Sequence, residues 1–202
     1  MGIPRFAQNL APRYPLIIGT IKDESDIPFI DNLYIDLNHI IHEVSHGNKE
    51  NLLSKIQNKS ELEIYADVCK FIDEIVKLIK PSKFLMIAAD GVEPLSKLNE
   101  QIKRRLIRQI NKKSEKIDNF LKKISLENIN TFDSSQMTPC TKFTLDLEEY
   151  LFEHIKNKQN KDDNWKNINV LYSGFHVPGE GEFKIMQELR DQQINSKEND
   201  NF

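Results

Sequence analysis

Three short apolar runs, each stopped by an acidic or turn residue, constrain this chain more than anything else in it. Asn32-Leu33-Tyr34-Ile35 runs into Asp36, and Lys83-Phe84-Leu85-Met86-Ile87-Ala88-Ala89 runs into Asp90-Gly91. Ile168-Asn169-Val170-Leu171-Tyr172 runs into Ser173-Gly174. Runs this short, without polar alternation, suit strands of a parallel sheet covered on both faces. Pro81 and Gly91 on either side of the second run favour a strand there over a turn of buried helix.

Helical patterns lie between the runs. Leu62, Tyr65, Val68-Cys69, Ile72, Ile75-Val76 and Ile79 recur at three- and four-residue steps behind Ser60, a good N-cap, and stop before Pro81. Leu98, Ile102, Leu106, Ile110, Ile117, Leu121 and Ile124 carry the same period through about seven turns. A third helix is expected over Leu145 to Ile155, and a fourth opens after Pro178-Gly179 with Ile185, Met186 and Leu189. Gln136 to Thr141 and Asn157 to Asn164 read as polar loops, and Trp165 as a packing anchor where the third strand starts. Strands separated by helices of this length make βαβ units, so the expected class is α/β, a mostly parallel sheet flanked by helices. No internal repeat is visible. The expected domain covers residues 1–190, and 191–202 is a polar tail or a truncation point.

The length of 202 residues allows one domain, or one and a fraction. No apolar run approaches the ~20 residues of a membrane span. The first twenty residues hold Arg5, Arg13 and three prolines without the apolar core of a signal peptide, and Phe6 stands where a myristoylation signal needs Ser or Thr. Cys69 and Cys140 form no CxxC pair and are too few for a zinc site; they fit two free thiols in a reduced intracellular compartment. The net charge of −3 argues against an obligate nucleic-acid binder, but the total hides its distribution. From Lys103 to Lys123 there are nine Lys and Arg against two acids, Glu115 and Asp118, a local balance of +7.

Ligands of open α/β sheets sit beyond the carboxyl ends of the strands. Asp36 and Asp90 end the first two runs there, and Glu180 and Glu182 follow the third at the start of a helix. Four carboxylates converging on one edge repel each other unless cations lie between them. Mg²⁺ or Mn²⁺ prefers such oxygen donors, and paired ions stabilise both oxygens of a phosphodiester displacement. Each acid also has an ordinary role: a strand-end Asp caps helices, and a Glu suits any first helical turn. Glu180 and Glu182, two apart, share a site only if Gly179 and Gly181 keep that turn out of helical geometry.

Lys97, Gln101, Arg104 and Arg105 fall on one helical face at steps of four, three and one, a set of donors suited to one terminal phosphate, or else to a solvated face. His42, six residues past Asp36, could stack on a base. No Gly-rich phosphate loop or serine nucleophile elbow is present.

Taken together, Met1-Gly2-Ile3-Pro4-Arg5-Phe6, Arg13-Tyr14-Pro15, Asp31 to Asn38 with Ile40-Ile41-His42, Asp90-Gly91-Val92-Glu93-Pro94, Lys97 to Arg105, Phe132-Asp133-Ser134, Thr138-Pro139 and Ser173 to Met186 follow one order. In this the chain resembles the amino-terminal part of the Xrn family of 5′→3′ exoribonucleases, over essentially its whole length. The resemblance implies a PIN/flap-nuclease-like fold. It also implies a two-ion Mg²⁺ or Mn²⁺ site with Asp36, Asp90, Glu180 and Glu182 as acidic ligands. Lys97, Gln101, Arg104 and Arg105 would accept the 5′-monophosphate of single-stranded RNA, His42 would stack on the leading base, and Asn38 would lie beside the site. The expected reaction is metal-assisted hydrolysis releasing 5′-mononucleotides. The short lead before Asp36 looks like that of cytoplasmic members.

The chain departs from the family pattern at His39, Leu95, Ile102, Cys140 and Phe183, positions that bear on RNA affinity more than on metal binding. The family's next acidic motif, an Asp-Ala-Asp on a following strand, would begin just past Phe202, so the expected domain is incomplete at its carboxyl end and its own activity is in question. A non-catalytic module that captures RNA 5′-phosphates is the alternative, and a flap-endonuclease-like DNA nuclease the next.

Overall fold

The three apolar runs pair as parallel strands in the computed structural model, which describes residues 6–15, 19, 21, 23–46, 59–95, 97, 99, 102, 103, 106, 107, 110 and 137–199. β1 (Asn32–Asp36), β2 (Phe84–Ala88) and β3 (Asn169–Ser173) form one sheet in that order. The register sets Ile35 beside Ile87 and Ile87 beside Tyr172, and it brings Asp36, Ala88 and Ser173 level at the carboxyl edge. At the opposite edge Asp31 aligns the first two strands. Its carboxylate accepts from Lys83 Nζ at 2.8 Å and Ser82 Oγ at 2.6 Å, which holds its pKa below the usual aspartate value.

Side chains alternate across the sheet. Leu33, Ile35, Leu85, Ile87, Ala89, Val170 and Tyr172 point to one face and join the main core there. That face is covered by α2 (Leu37–His46), α3 (Glu61–Ile79) and α4 (Lys142–Lys161). The short α5 (Asp163–Lys166) adds Trp165, which is 1% exposed immediately before β3, as expected of an anchor. The other face carries Tyr34, Met86 and Leu171, and α6 (Gly181–Asn199) lies against it over β1 and β2. Gln192 of α6 accepts from the Tyr34 hydroxyl at 2.8 Å. With helices on both sides, Leu85 to Ala88 are all buried, and this is why the run shows no alternation.

Ser60 begins α3 with a complete capping box: its Oγ accepts from Glu63 N, and Glu63 Oε2 accepts from Ser60 N at 2.7 Å. The helix ends at Lys80, in left-handed backbone at φ 51°, before the buried Pro81. The inward stripe is Ile64, Tyr65, Val68, Cys69, Ile72 and Val76, while Leu62 is exposed. Cys69 is buried and Cys140 exposed, and neither forms a disulfide.

Three expectations change. The loop expected over Asn157 to Asn164 is mostly helix: α4 runs on to Lys161, and Asp162 accepts from Asn164 N at 3.0 Å to start α5. Polar composition marked a solvated surface there, and a helix end presents one as readily as a loop does. The polar stretch from Asp191 continues α6 to Asn199, supported by the Gln187–Asp191 and Gln192–Glu188 contacts one turn apart. The described positions between Leu95 and Ile110 are helical, but Ile102, Leu106 and Ile110 are exposed and not part of the sheet core. Their period marks a common face without saying what covers it. The remainder of the expected helix, from Asn111 to Ile124, lies outside the described residues. Besides these elements the structure has α1 (Phe6–Leu10), a 3-10 turn at Glu24–Asp26 and, among the described residues, no helix long and apolar enough to cross a membrane.

Candidate active site

Asp36 closes β1, and α2 starts at the next residue. Asp36 Oδ1 accepts from Asn38 N at 3.0 Å and so caps α2, the ordinary role open to a strand-end aspartate. Burial pushes the Asp36 pKa up and the charge of Asp90 adds to it, as does Glu182; the Asn38 and His39 N–H groups oppose this only in part. A crowded, half-buried carboxylate of this kind is relieved by a nearby cation.

Asn38 joins the first acid to the second. Its Nδ2 donates to Asp90 Oδ2 at 2.8 Å, and its Oδ1 accepts from Asp90 N at 3.1 Å. The other Asp90 oxygen accepts from Gly181 N at 2.7 Å, so an aspartate from the end of β2 caps α6. A Cβ on Gly181 would stand 3.1 Å from Ala88 O and 3.3 Å from Asp36 Oδ1, and glycine is what lets the helix start this close to both acids. The loops behind the strands are stitched together: Gly91 N donates to Gly179 O at 2.8 Å and Gly179 N to Val92 O at 3.1 Å.

The two glutamates separate. Gly179 takes left-handed backbone at φ 105°, but Gly181 is already helical, and Lys184 N bonds Glu180 O at 3.0 Å. The condition for a shared site is therefore met at Gly179 alone. Glu180, 7% exposed, forms an ion pair with Lys97, whereas Glu182 is exposed in the first turn of α6. Burial alone would lower the Lys97 pKa; the hydrogen bond and charge of Glu180, with Glu93 and Asp90, more than reverse this and raise it. His42 is exposed on α2. Gln101, Arg104 and Arg105 lie outside the described residues, so of the expected phosphate donors only Lys97 has a described place, beside Glu180.

Asp36 thus lies within electrostatic reach of both Asp90 and Glu182. Among the described residues, no three His, Cys, Asp or Glu side chains are gathered closely enough to hold a metal ion as they stand. The donor set itself, carboxylate oxygens with an amide beside them, is that of a hard divalent cation.

Two participants escaped the sequence reading. Lys184 Nζ donates to Ala89 O at 2.7 Å and Gly174 O at 2.9 Å; burial lowers its pKa, and the charges of Asp90 and Glu148 work against this. Glu148, from α4, lies against Gly174 and pairs with His176 Nδ1 at 2.8 Å. Glu148 sits in no motif with a spacing to find; Lys184 lies within the Ser173 to Met186 segment, where a lysine in the first turn of a helix was the one sign of a role.

Fold and site define an α/β domain with carboxylates converging on the carboxyl edge of its parallel sheet. A family model described as "XRN 5'-3' exonuclease N-terminus" matches residues 1–202, and the chain belongs to that family. It is 37% identical over 196 residues to 5'-3' exoribonuclease 1 of Saccharomyces cerevisiae, covering 94% of this chain and 12% of that protein. It is 37% identical over 191 residues to 5'-3' exoribonuclease 1 of Homo sapiens, covering 94% and 11%. With 5'-3' exoribonuclease 2 of Neurospora crassa it shares 34% over 226 residues, covering 95% and 21%. The chain therefore spans between a tenth and a quarter of the length of these relatives.

Proposed function

We propose that this chain is the amino-terminal nuclease portion of a 5′→3′ exoribonuclease that removes nucleotides from 5′-monophosphorylated single-stranded RNA. The observation that carries the reading is the convergence of Asp36, Asp90 and the Glu180–Glu182 turn on one sheet edge, in a chain matched throughout by an exonuclease amino-terminal family model. That its relatives are named exoribonucleases agrees with RNA as the substrate.

In this reading Asp36, Asp90, Glu180 and Glu182 hold Mg²⁺ or Mn²⁺, and the raised Asp36 carboxyl marks where positive charge is most welcome. Such ions, when bound, stabilise the attacking and leaving oxygens of phosphodiester hydrolysis. Asn38 orients Asp36 and Asp90 through its backbone and side chain. Lys97, Gln101, Arg104 and Arg105 receive the 5′-monophosphate, and His42, exposed on α2, stacks on the leading base.

The test compares single-stranded RNAs with 5′-phosphate and 5′-hydroxyl ends, with and without Mn²⁺. Expected are preferential binding of the phosphorylated RNA and Mn²⁺-dependent release of 5′-mononucleotides, the release lost in Asp90→Ala. Preferential binding without any release supports the capture module instead. Equal binding of both RNAs overturns the reading.

A further inference from the structure

α6 carries a lysine where a helix least favours one. Lys184 stands in the first turn, at the positive end of the helix dipole. An exposed lysine would turn outward, but this one is half-buried and its ammonium reaches Ala89 O at 2.7 Å and Gly174 O at 2.9 Å. Those carbonyls belong to the first residues past β2 and β3, whose last ladder bond runs from Ala89 N to Ser173 O at 2.9 Å. The carboxyl edge of a parallel sheet leaves such acceptors without ladder partners, and an ammonium, with three donors and no acceptor, can span two of them. The Glu148 carboxylate closes the far side, lying against Gly174 where a Cβ would otherwise stand.

Asp90 follows Ala89 directly and holds Gly181 N at 2.7 Å, three residues before Lys184. The helix start and the end of β2 are thus joined twice, once through backbone N–H and carboxylate, once through ammonium and carbonyl. We propose that Lys184 is a positioning residue: its bridge from Ala89 O to Gly174 O sets where Asp90 stands relative to Glu180 and Glu182. The consequence for metal binding rests on the reading of those acids as ligands of a divalent ion; the consequence for the Asp90–Gly181 contact does not.

Lys184→Met keeps the length of the side chain and removes its donors, while Lys184→Arg keeps donors and charge. Amide hydrogen exchange at Gly181 needs no metal. It is expected to quicken about tenfold in Lys184→Met and to return toward the wild-type rate in Lys184→Arg, while Val76 of α3 stays protected and reports an intact fold. Mn²⁺ affinity, read by electron paramagnetic resonance, is expected to fall about tenfold in Lys184→Met and recover in Lys184→Arg. Removing a nearby cation would by Coulomb's law tighten Mn²⁺ binding, so the fall separates positioning from simple charge. If Lys184→Met does not fold, Lys184→Gln, with a shorter donor, should give intermediate values of both. Wild-type Gly181 exchange in a folded variant, or Mn²⁺ binding that is unchanged or tighter, overturns the proposal. A wild-type chain that binds no Mn²⁺ but whose Gly181 exchange responds as expected overturns the ligand reading and supports the bridge.

Discussion

Asp36 serves two ends that oppose each other. As the cap of α2 it needs only an oxygen acceptor, which Asn supplies equally well. As a charge it is disfavoured, because burial and then Asp90 raise its pKa. The folded chain therefore holds that proton more tightly than the unfolded one, and stability falls as pH rises from the ordinary aspartate value through the raised one. Asp36→Asn is expected to stabilise the fold at neutral pH without divalent ions, by less than about 1 kcal/mol because the group is half exposed, and to lose this advantage in acid. Thermal unfolding at the two pH values checks it. Gly91 is constrained by space: a Cβ there would run into the Val177 carbonyl, whereas one on Gly19 would meet nothing within 4 Å. Gly91→Ala should cost roughly 1–3 kcal/mol in denaturant unfolding and Gly19→Ala much less.

At the scale of elements, α3 depends on its start. Ser60→Ala removes the side-chain half of the capping box and should cost about 1 kcal/mol. The Ser60 backbone and side-chain donors hold the Glu63 pKa below its ordinary value, so this stabilisation is present above that value and is lost as pH falls through the lowered one. The difference between wild type and Ser60→Ala, followed by circular dichroism, should therefore shrink in acid. This helix and the three strands were legible because each carries its own signature: a cap with an inward stripe, or an apolar run with a stop. The end of α4 was not legible, since Asn157, Asn160 and Lys161 face solvent and polar residues suit a helix end and a loop alike. Asp36 and Asp90 could be placed from the strand ends alone. Lys184 could not, because its partners are backbone carbonyls from two other segments, and nothing in a sequence marks which carbonyl lacks a partner.

For the whole molecule, Trp165 is the one tryptophan and is 1% exposed within the main core. Its emission should be blue-shifted when folded. On unfolding it should redden in step with the loss of far-ultraviolet helical signal, because a single cluster joins α2, α3, α4 and one sheet face. Separate transitions would show that the core divides. The charge of the chain is likewise uneven: acids meet at the carboxyl edge, while the excess of Lys and Arg is concentrated between Lys103 and Lys123.

The segments that meet at that edge are made far apart in time. Asp36 and Asp90 leave the ribosome early, but the donors that steady Asp90 from α6, the Gly181 N–H and through Ala89 the Lys184 ammonium, are synthesised about ninety residues later. Until that last turn emerges and docks, a nascent chain holds two of its acids with no α6 to orient the second. The order of translation thus leaves Asp90 unsteadied by α6 until the chain has grown past Lys184, and the folding of this edge waits on the last of the described elements.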